Sequence, residues 1–180
     1  MKKLSMEDLN RISVQEFKEK TKLALSLILD DVRSMANVGS VFRTADCFRV
    51  EKIHLCGITS TPPHREIEKT ALGATESVDW VYHENAEALV QALKSEGCRI
   101  LALEQAEGSV SLTDFSPEPD TRYALILGNE VFGVNDALLQ HADQVVEIPQ
   151  FGTKHSFNVS VSAGIFLWDY FTKTMGKALD

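Results

Sequence analysis

Cysteine is scarce in this chain. Of 180 residues only Cys47, Cys56 and Cys98 are cysteines, and no two of them form a Cys-x-x-Cys pair. A disulfide framework is thereby excluded and a zinc site has no support, so no metal is expected. Each of the three sits among apolar neighbours and reads as a buried small hydrophobe. Positive charge is short as well: 18 Lys and Arg stand against 26 Asp and Glu, a net charge of −8. No global field therefore draws the chain to nucleic acid. A polyanion has to be held by a local basic patch or a shape-matched site, in one chain or across two. No apolar run reaches the roughly 20 residues that cross a bilayer, so no membrane is involved. Met1-Lys2-Lys3 leads into polar residues, not the apolar core of a secretory signal. The expectation is a cytoplasmic protein. Internal repeats and low-complexity segments are missing too.

What is present is an ordinary globular composition, 44% hydrophobic and 24% charged. Residues 1–21 read as a short N-terminal helical arm and 22–180 as a single α/β domain. "SVQE" at 13–16 matches a capping box ahead of a short helix. "KLALSLIL" (22–29) is a near-continuous apolar run, as in a strand covered on both faces. From Asn37, a plausible N-cap, Val38, Val41, Phe42, Ala45 and Phe48 follow helical spacing. Strands are expected at 52–58, 78–83, 98–104, 122–128 and, as the last one, 144–149. Helices are expected after the Pro-broken loop at 61, from Asn85 to Gly97, and over 135–142. "NVSVSAGIF" alternates like a strand but runs on into "LWDYFTKTM" without a turn. Taken from Ser156 to about Met175, the stretch is better a helix, with Ser156 and Asn158 in its first turn. Strands alternating with helices imply an α/β fold with a mostly parallel sheet and helices on both faces. In such sheets ligands sit beyond the carboxyl ends of strands. Asn37, Gly128 and the bend after Ile148 are all placed there.

Three loops carry candidate chemistry. "NVGSVFR" (37–43) sets Gly39 where backbone can be approached closely, and Arg43 six residues after Asn37. Its guanidinium suits a phosphate or a nucleophilic oxygen; the plainer alternative is a capping Asn37 and a surface ion pair. "LGNEVFGV" (127–134) places Glu130 between Gly128 and Gly133. It is neither a Walker loop nor a Gly-x-Gly-x-x-Gly site, and alone it is as readily a glycine-rich turn with a capping acid. "IPQFGTKHSFNVS" (148–160) is a polar bend ahead of a helix, where free N–H groups point outward.

Taken together, "NVGSVFR", "LILGNEVFGV" and "IPQFGTKHSFNVSVSAGI" resemble the three motifs of the SpoU (TrmH-type) branch of the SPOUT RNA methyltransferases, in that family's order and spacing. Phe157 stands where leucine is common and Gln150 where methionine is common; neither change removes a polar functional group. The resemblance implies transfer of a methyl group from S-adenosylmethionine to a ribose 2′-hydroxyl of tRNA or rRNA. It also implies a deep trefoil knot in the C-terminal third, which periodicity would not announce. A homodimer whose active site borrows residues across the interface is implied as well. Carried over by position, Leu103, Glu104, Gly128, Asn129, Ile148, Ser156 and Phe157 contact the cofactor. Asn37, Arg43, Glu130 and Asn158 match the polar active-site positions.

Arg33, His64, Arg65, Lys69, Lys154 and His155 are candidates to touch RNA; beside Glu66 and Glu68, Arg65 and Lys69 are equally well a solvated helix face. Trp80 and Trp168 read as core or interface aromatics. A short acidic chain favours a compact target such as a tRNA loop, and DNA is not expected. Two other readings stay open: a non-catalytic RNA-binding or assembly factor that kept the pocket, and an α/β enzyme binding a small molecule or dinucleotide.

Overall fold

The capping box at the start of the chain forms: the Glu16 N–H donates to Ser13 Oγ and the Ser13 N–H to Glu16 Oε2 at 2.7 Å. The structure, a computed structural model, describes residues 1–5, 8–9 and 11–175. Helix α1 (Val14–Glu19) is followed by strand β1 (Leu23–Asp30), helix α2 (Met35–Cys47) and strand β2 (Val50–Cys56). Next come α3 (Arg65–Ala71), α4 (Ala74–Ser77), β3 (Trp80–His83), α5 (Ala86–Ser95) and β4 (Arg99–Leu103). The chain continues through β5 (Val110–Ser111), β6 (Tyr123–Leu127), α6 (Asp136–His141), β7 (Gln144–Glu147) and α7 (Val159–Thr174).

The strands form one seven-stranded sheet in the order β3-β2-β1-β6-β4-β7-β5, and every pairing between them is parallel. The continuous apolar run of β1 is explained by burial on both faces. Leu25, Leu27 and Leu29 face a core shared with α2, α3 and α7, through Val41, Phe42, Ile67, Phe166 and Leu167. Ile28 points the other way, into a second core with Ile100, Ala124 and Ile126 of the sheet, Leu89 and Val90 of α5, and Leu138 of α6. This alternation within an all-apolar strand is what a doubly covered parallel sheet requires. The chain builds outward from β1 to β2 and β3, then returns to the opposite side through β4. The crevice beyond the carboxyl ends of β1 and β6 is therefore the topological switch point.

Several local expectations need correction. Helix α2 starts at Met35 with Ser34 as N-cap, its Oγ accepting the Asn37 N–H at 3.3 Å. Both residues are good caps, and hydrophobic spacing beginning at Val38 does not separate them; Asn37 lies in the first turn with its side chain used elsewhere. The close backbone approach expected at Gly39 is made by α3, since a Cβ there would lie 2.2 Å from the Ile67 carbonyl oxygen. Strand β2 spans 50–56, not 52–58, because Gly57 turns left-handed at φ 59°. Helix α7 starts three residues late: Asn158 is its N-cap, accepting the Ser160 N–H at 2.9 Å, and Ser156 precedes it. Cys47, at the end of α2, is exposed; Cys56 and Cys98 are buried. The short elements α4 and β5 were not anticipated. Trp80 packs partly buried against the first core, whereas Trp168 is 60% exposed.

Candidate active site: a cleft closed by a polar relay

The loop after β6 is built by its own residues. Asn129 and Gly133 exchange two backbone hydrogen bonds, 3.0 and 2.9 Å, closing a tight turn. The Asn129 side chain reinforces it: Oδ1 accepts from the N–H groups of Val131 (2.8 Å) and Phe132 (3.2 Å), and Nδ2 donates to the Asp31 carbonyl at 2.7 Å. Glycine is required at both ends. Gly133 has φ 70°, and a Cβ on Gly128 would lie 2.3 Å from the Gly133 carbonyl. Glu104, at the end of β4, accepts the Val134 N–H at 2.9 Å and the Gln105 N–H at 2.8 Å. Its carboxylate holds the far side of the same turn.

Glu130 projects from this turn toward the start of α2. One oxygen accepts the Arg33 N–H at 2.9 Å; the other accepts the Ser34 N–H at 3.0 Å and Asn37 Nδ2 at 2.9 Å. Burial opposes its ionisation, but the bonds from Arg33, Asn37 and Ser34 outweigh burial and hold the carboxyl below the usual carboxylate range. With Nδ2 committed to Glu130, Asn37 presents Oδ1, which accepts from Asn158 Nδ2 at 3.1 Å. Asn158 Oδ1 in turn caps α7. Three of the four polar positions expected from sequence thus form a single hydrogen-bonded relay in which each partner fixes the orientation of the next.

The relay borders a cleft of about 670 Å³, lined by Leu103, Glu104, Gly128, Asn129, Ile148, Ser156 and Phe157 together with Glu130 and Asn158. All seven expected cofactor positions share this one cavity, which is of a size usual for small-molecule sites. Leu127, Val134, Leu139 and Val159 add apolar wall. Gln105 was missed from sequence: its Nε2 donates to the His155 carbonyl at 2.7 Å, tying the third loop to the end of β4. A polar residue just past a strand's carboxyl end was the available signal. Val131, Phe132 and Asp136 also line the cleft and were not singled out.

Arg43 is not brought to this group by contacts within the chain. It lies exposed on α2 and forms no ion pair among the described residues. Arg33 and Lys154 are exposed near the cleft without lining it, and His155 lines it. His64 caps α3, its Nδ1 accepting the Glu66 N–H at 3.2 Å, and Arg65 is exposed on that helix. Among the described residues no group of three or more His, Cys, Asp or Glu side chains could hold a metal ion, and no helix is long and apolar enough to cross a membrane.

A fully parallel α/β sheet with a glycine-walled cleft beyond the carboxyl ends of β4, β6 and β7 defines a class of small-molecule-binding enzyme folds. The family is given by the sequence within that fold. A model described as the SpoU rRNA Methylase family matches residues 24–168, and the chain belongs to that family. It is 34% identical over 150 residues to the 23S rRNA (guanosine-2'-O-)-methyltransferase RlmB of Neisseria meningitidis, covering 79% of this chain and 56% of that protein. The chain thus spans little more than half the length of that relative. Among solved structures, the A. aeolicus TrmH/SpoU tRNA modifying enzyme superposes with a TM-score of 0.81 at 23% identity, covering 92% of this chain and 84% of the other. An AdoMet-bound rRNA methyltransferase from Sinorhizobium meliloti matches with a TM-score of 0.78 at 26% identity, covering 86% and 59%.

Proposed function

We propose that this chain transfers a methyl group from S-adenosylmethionine to a ribose 2′-hydroxyl of RNA, with tRNA the favoured substrate. The observation that carries the reading is the Glu130–Asn37–Asn158 relay bordering a cleft that contains every expected cofactor position. The cleft suits the cofactor: apolar walls for an adenine, glycine-backed backbone, and a polar end. Leu103, Glu104, Gly128, Asn129, Ile148, Ser156 and Phe157 would hold it. When bound, it supplies a methyl on a sulfonium, already a strong electrophile.

The chain's own residues then have to align an oxygen and stabilise the charge that develops on it. Alignment alone can supply up to about 7–11 kcal/mol. Glu130, with three of its roughly four acceptor sites filled, is a positioning residue that acts through Asn37. Arg43 is the remaining cation of the motif. A guanidinium is a fork of N–H donors with no acceptor, so its role is electrostatic stabilisation of the forming alkoxide, with a phosphate of the RNA helping to orient it.

Because Arg43 lies outside the relay, the reading includes a homodimer in which Arg43 of a second copy reaches the cleft. The exposed faces of α2 and α7 support this: Arg43 and Cys47 on one, and Val161 (50% exposed) and Trp168 on the other. The trefoil knot expected of the C-terminal third is part of the same proposal. Incubating the protein with bulk tRNA or bulk rRNA and methyl-labelled cofactor tests it. Label on ribose 2′-oxygens of tRNA supports the full reading. Label in rRNA alone supports a second one, favoured by the name of the Neisseria relative. RNA binding without transfer to either makes the chain a non-catalytic factor.

A further inference from the structure

The turn that carries Glu130 has an apolar tip. Its other members are committed: Asn129 to the turn and to Asp31, Glu130 to three donors, and Gly133 to backbone closure against Glu104. Val131 and Phe132 are not. They are 63% and 85% exposed, although Phe132 lines the cleft. Three features set this ring apart from a scattered surface hydrophobe. Its backbone is clamped, since the Phe132 N–H is bound by Asn129 and the turn is closed on both strands. It lies on the same turn as Glu130, two residues on from the carboxylate that organises the relay. It also shares the cleft rim with His155, the neighbour of Lys154.

Resting on the proposed RNA reaction, we propose that Phe132 is a stacking platform for an unstacked nucleobase of the RNA, at or next to the nucleotide whose ribose enters the cleft. The chemistry fits this chain in particular. With a net charge of −8, it has no global positive field to draw in RNA, so contacts that need no positive charge carry more of the binding. An aromatic face binds any base without a positive charge, and a rigid platform loses little freedom in doing so. The turn then couples the two halves of recognition. The ring fixes the base, and Glu130, two residues earlier, fixes the amides beside the ribose.

The test is binding of a short RNA hairpin with 2-aminopurine in its loop, and of bulk tRNA, to wild type, F132A, F132W and K154A at low and high salt. For F132A the expected loss is roughly 5- to 150-fold, the range for one base–aromatic stack. It should persist at high salt, whereas the K154A loss shrinks as salt rises. F132W restores binding and the quenching of 2-aminopurine, sedimentation stays at the wild-type value in all variants, and S-adenosylhomocysteine affinity in F132A changes far less than RNA binding does. Unchanged RNA binding in F132A overturns the inference. So does a shift of F132A toward monomer, which would give Phe132 to a second copy, or a loss confined to S-adenosylhomocysteine. If wild type transfers no methyl yet F132A still weakens hairpin binding, the methyl-transfer reading falls and the stacking platform stands.

Discussion

The Asn37 amide donates to the Glu130 carboxylate at 2.9 Å across 93 residues of chain. That bond settles which end of Asn37 faces Asn158, because the amide nitrogen is spent and the carbonyl is left to accept from Asn158 Nδ2. A carboxylate at position 130 accepts from all three of its donors at once. In Glu130→Gln an NH2 group must confront at least one N–H donor, leaving an exposed or part-buried polar group without its partner at a cost of about 1 kcal/mol. Thermal denaturation should show a lower Tm, and methyl transfer should fall at least 10-fold through kcat, with S-adenosylhomocysteine affinity changed far less.

Asn158 separates the relay from helix capping. Asn158→Asp keeps an oxygen to cap α7 but replaces the Nδ2 donor with an acceptor facing Asn37 Oδ1. The expected result is a Tm within a few degrees of wild type with activity lost. Asn158→Ala should lose both, with about 0.5–2 kcal/mol of stability going with the cap. Parallel denaturation and transfer assays on the two variants check the split.

Gly128 has backbone, not a movable side chain, where a Cβ would go. Gly128→Ala should therefore destabilise the domain by about 1–3 kcal/mol. Calorimetry should show binding of S-adenosylhomocysteine reduced at least tenfold.

The pH dependence has a component away from the cleft. Burial, assisted by the neighbouring Asp31, raises the pKa of Asp30 to about 6. The folded state then holds this proton more tightly than the unfolded chain. Its contribution is fully present below the ordinary aspartate value and is lost as pH rises through about 6. Asp30→Asn should be neutral at pH 3.5 and stabilising by up to about 3 kcal/mol at pH 8. Glu130 has the opposite sign: its contribution is present above the ordinary glutamate value and lost as pH falls through its depressed pKa. Urea titrations at several pH values, on wild type and each variant, resolve both slopes.

Much of this was legible because the relevant physics is local. Ser13 with Glu16, and Asn85 with Gly97, mark helix ends by their own hydrogen bonding and backbone freedom. The apolar run 22–29 announces a strand buried on both faces. Asn37 was misjudged because its partner, Glu130, is far away in sequence, and no local rule chooses between two good caps when one is recruited by tertiary structure. Asn129 was legible as a member of the cleft but not as the residue that ties its turn. The exposure of Val131 and Phe132 follows from a turn whose closure depends on Gly133. The two-residue β5 exists only as a partner of β7 and carries no pattern of its own. Arg43 was identified by motif, and its position outside the relay became visible only in three dimensions.

Arg43 also supplies a test of assembly. Neither Arg43→Ala nor Asn158→Asp should transfer methyl on its own. If Arg43 serves the cleft of the other copy, mixing the two unfolded and refolded together gives heterodimers with one intact site each. Random pairing then restores about a quarter of wild-type activity. No restoration would place Arg43 with the cleft of its own chain.

The central claim is that the relay-bordered cleft is where a methyl donor meets a ribose oxygen. Mapping 2′-O-methyl groups in RNA from cells lacking this protein, and from the same cells given wild type or Asn158→Asp, tests it most directly. The expected result is a ribose methylation that disappears without the protein, returns with wild type and stays absent with Asn158→Asp at equal protein level. Full restoration by Asn158→Asp, or identical methylation with and without the protein, would contradict it.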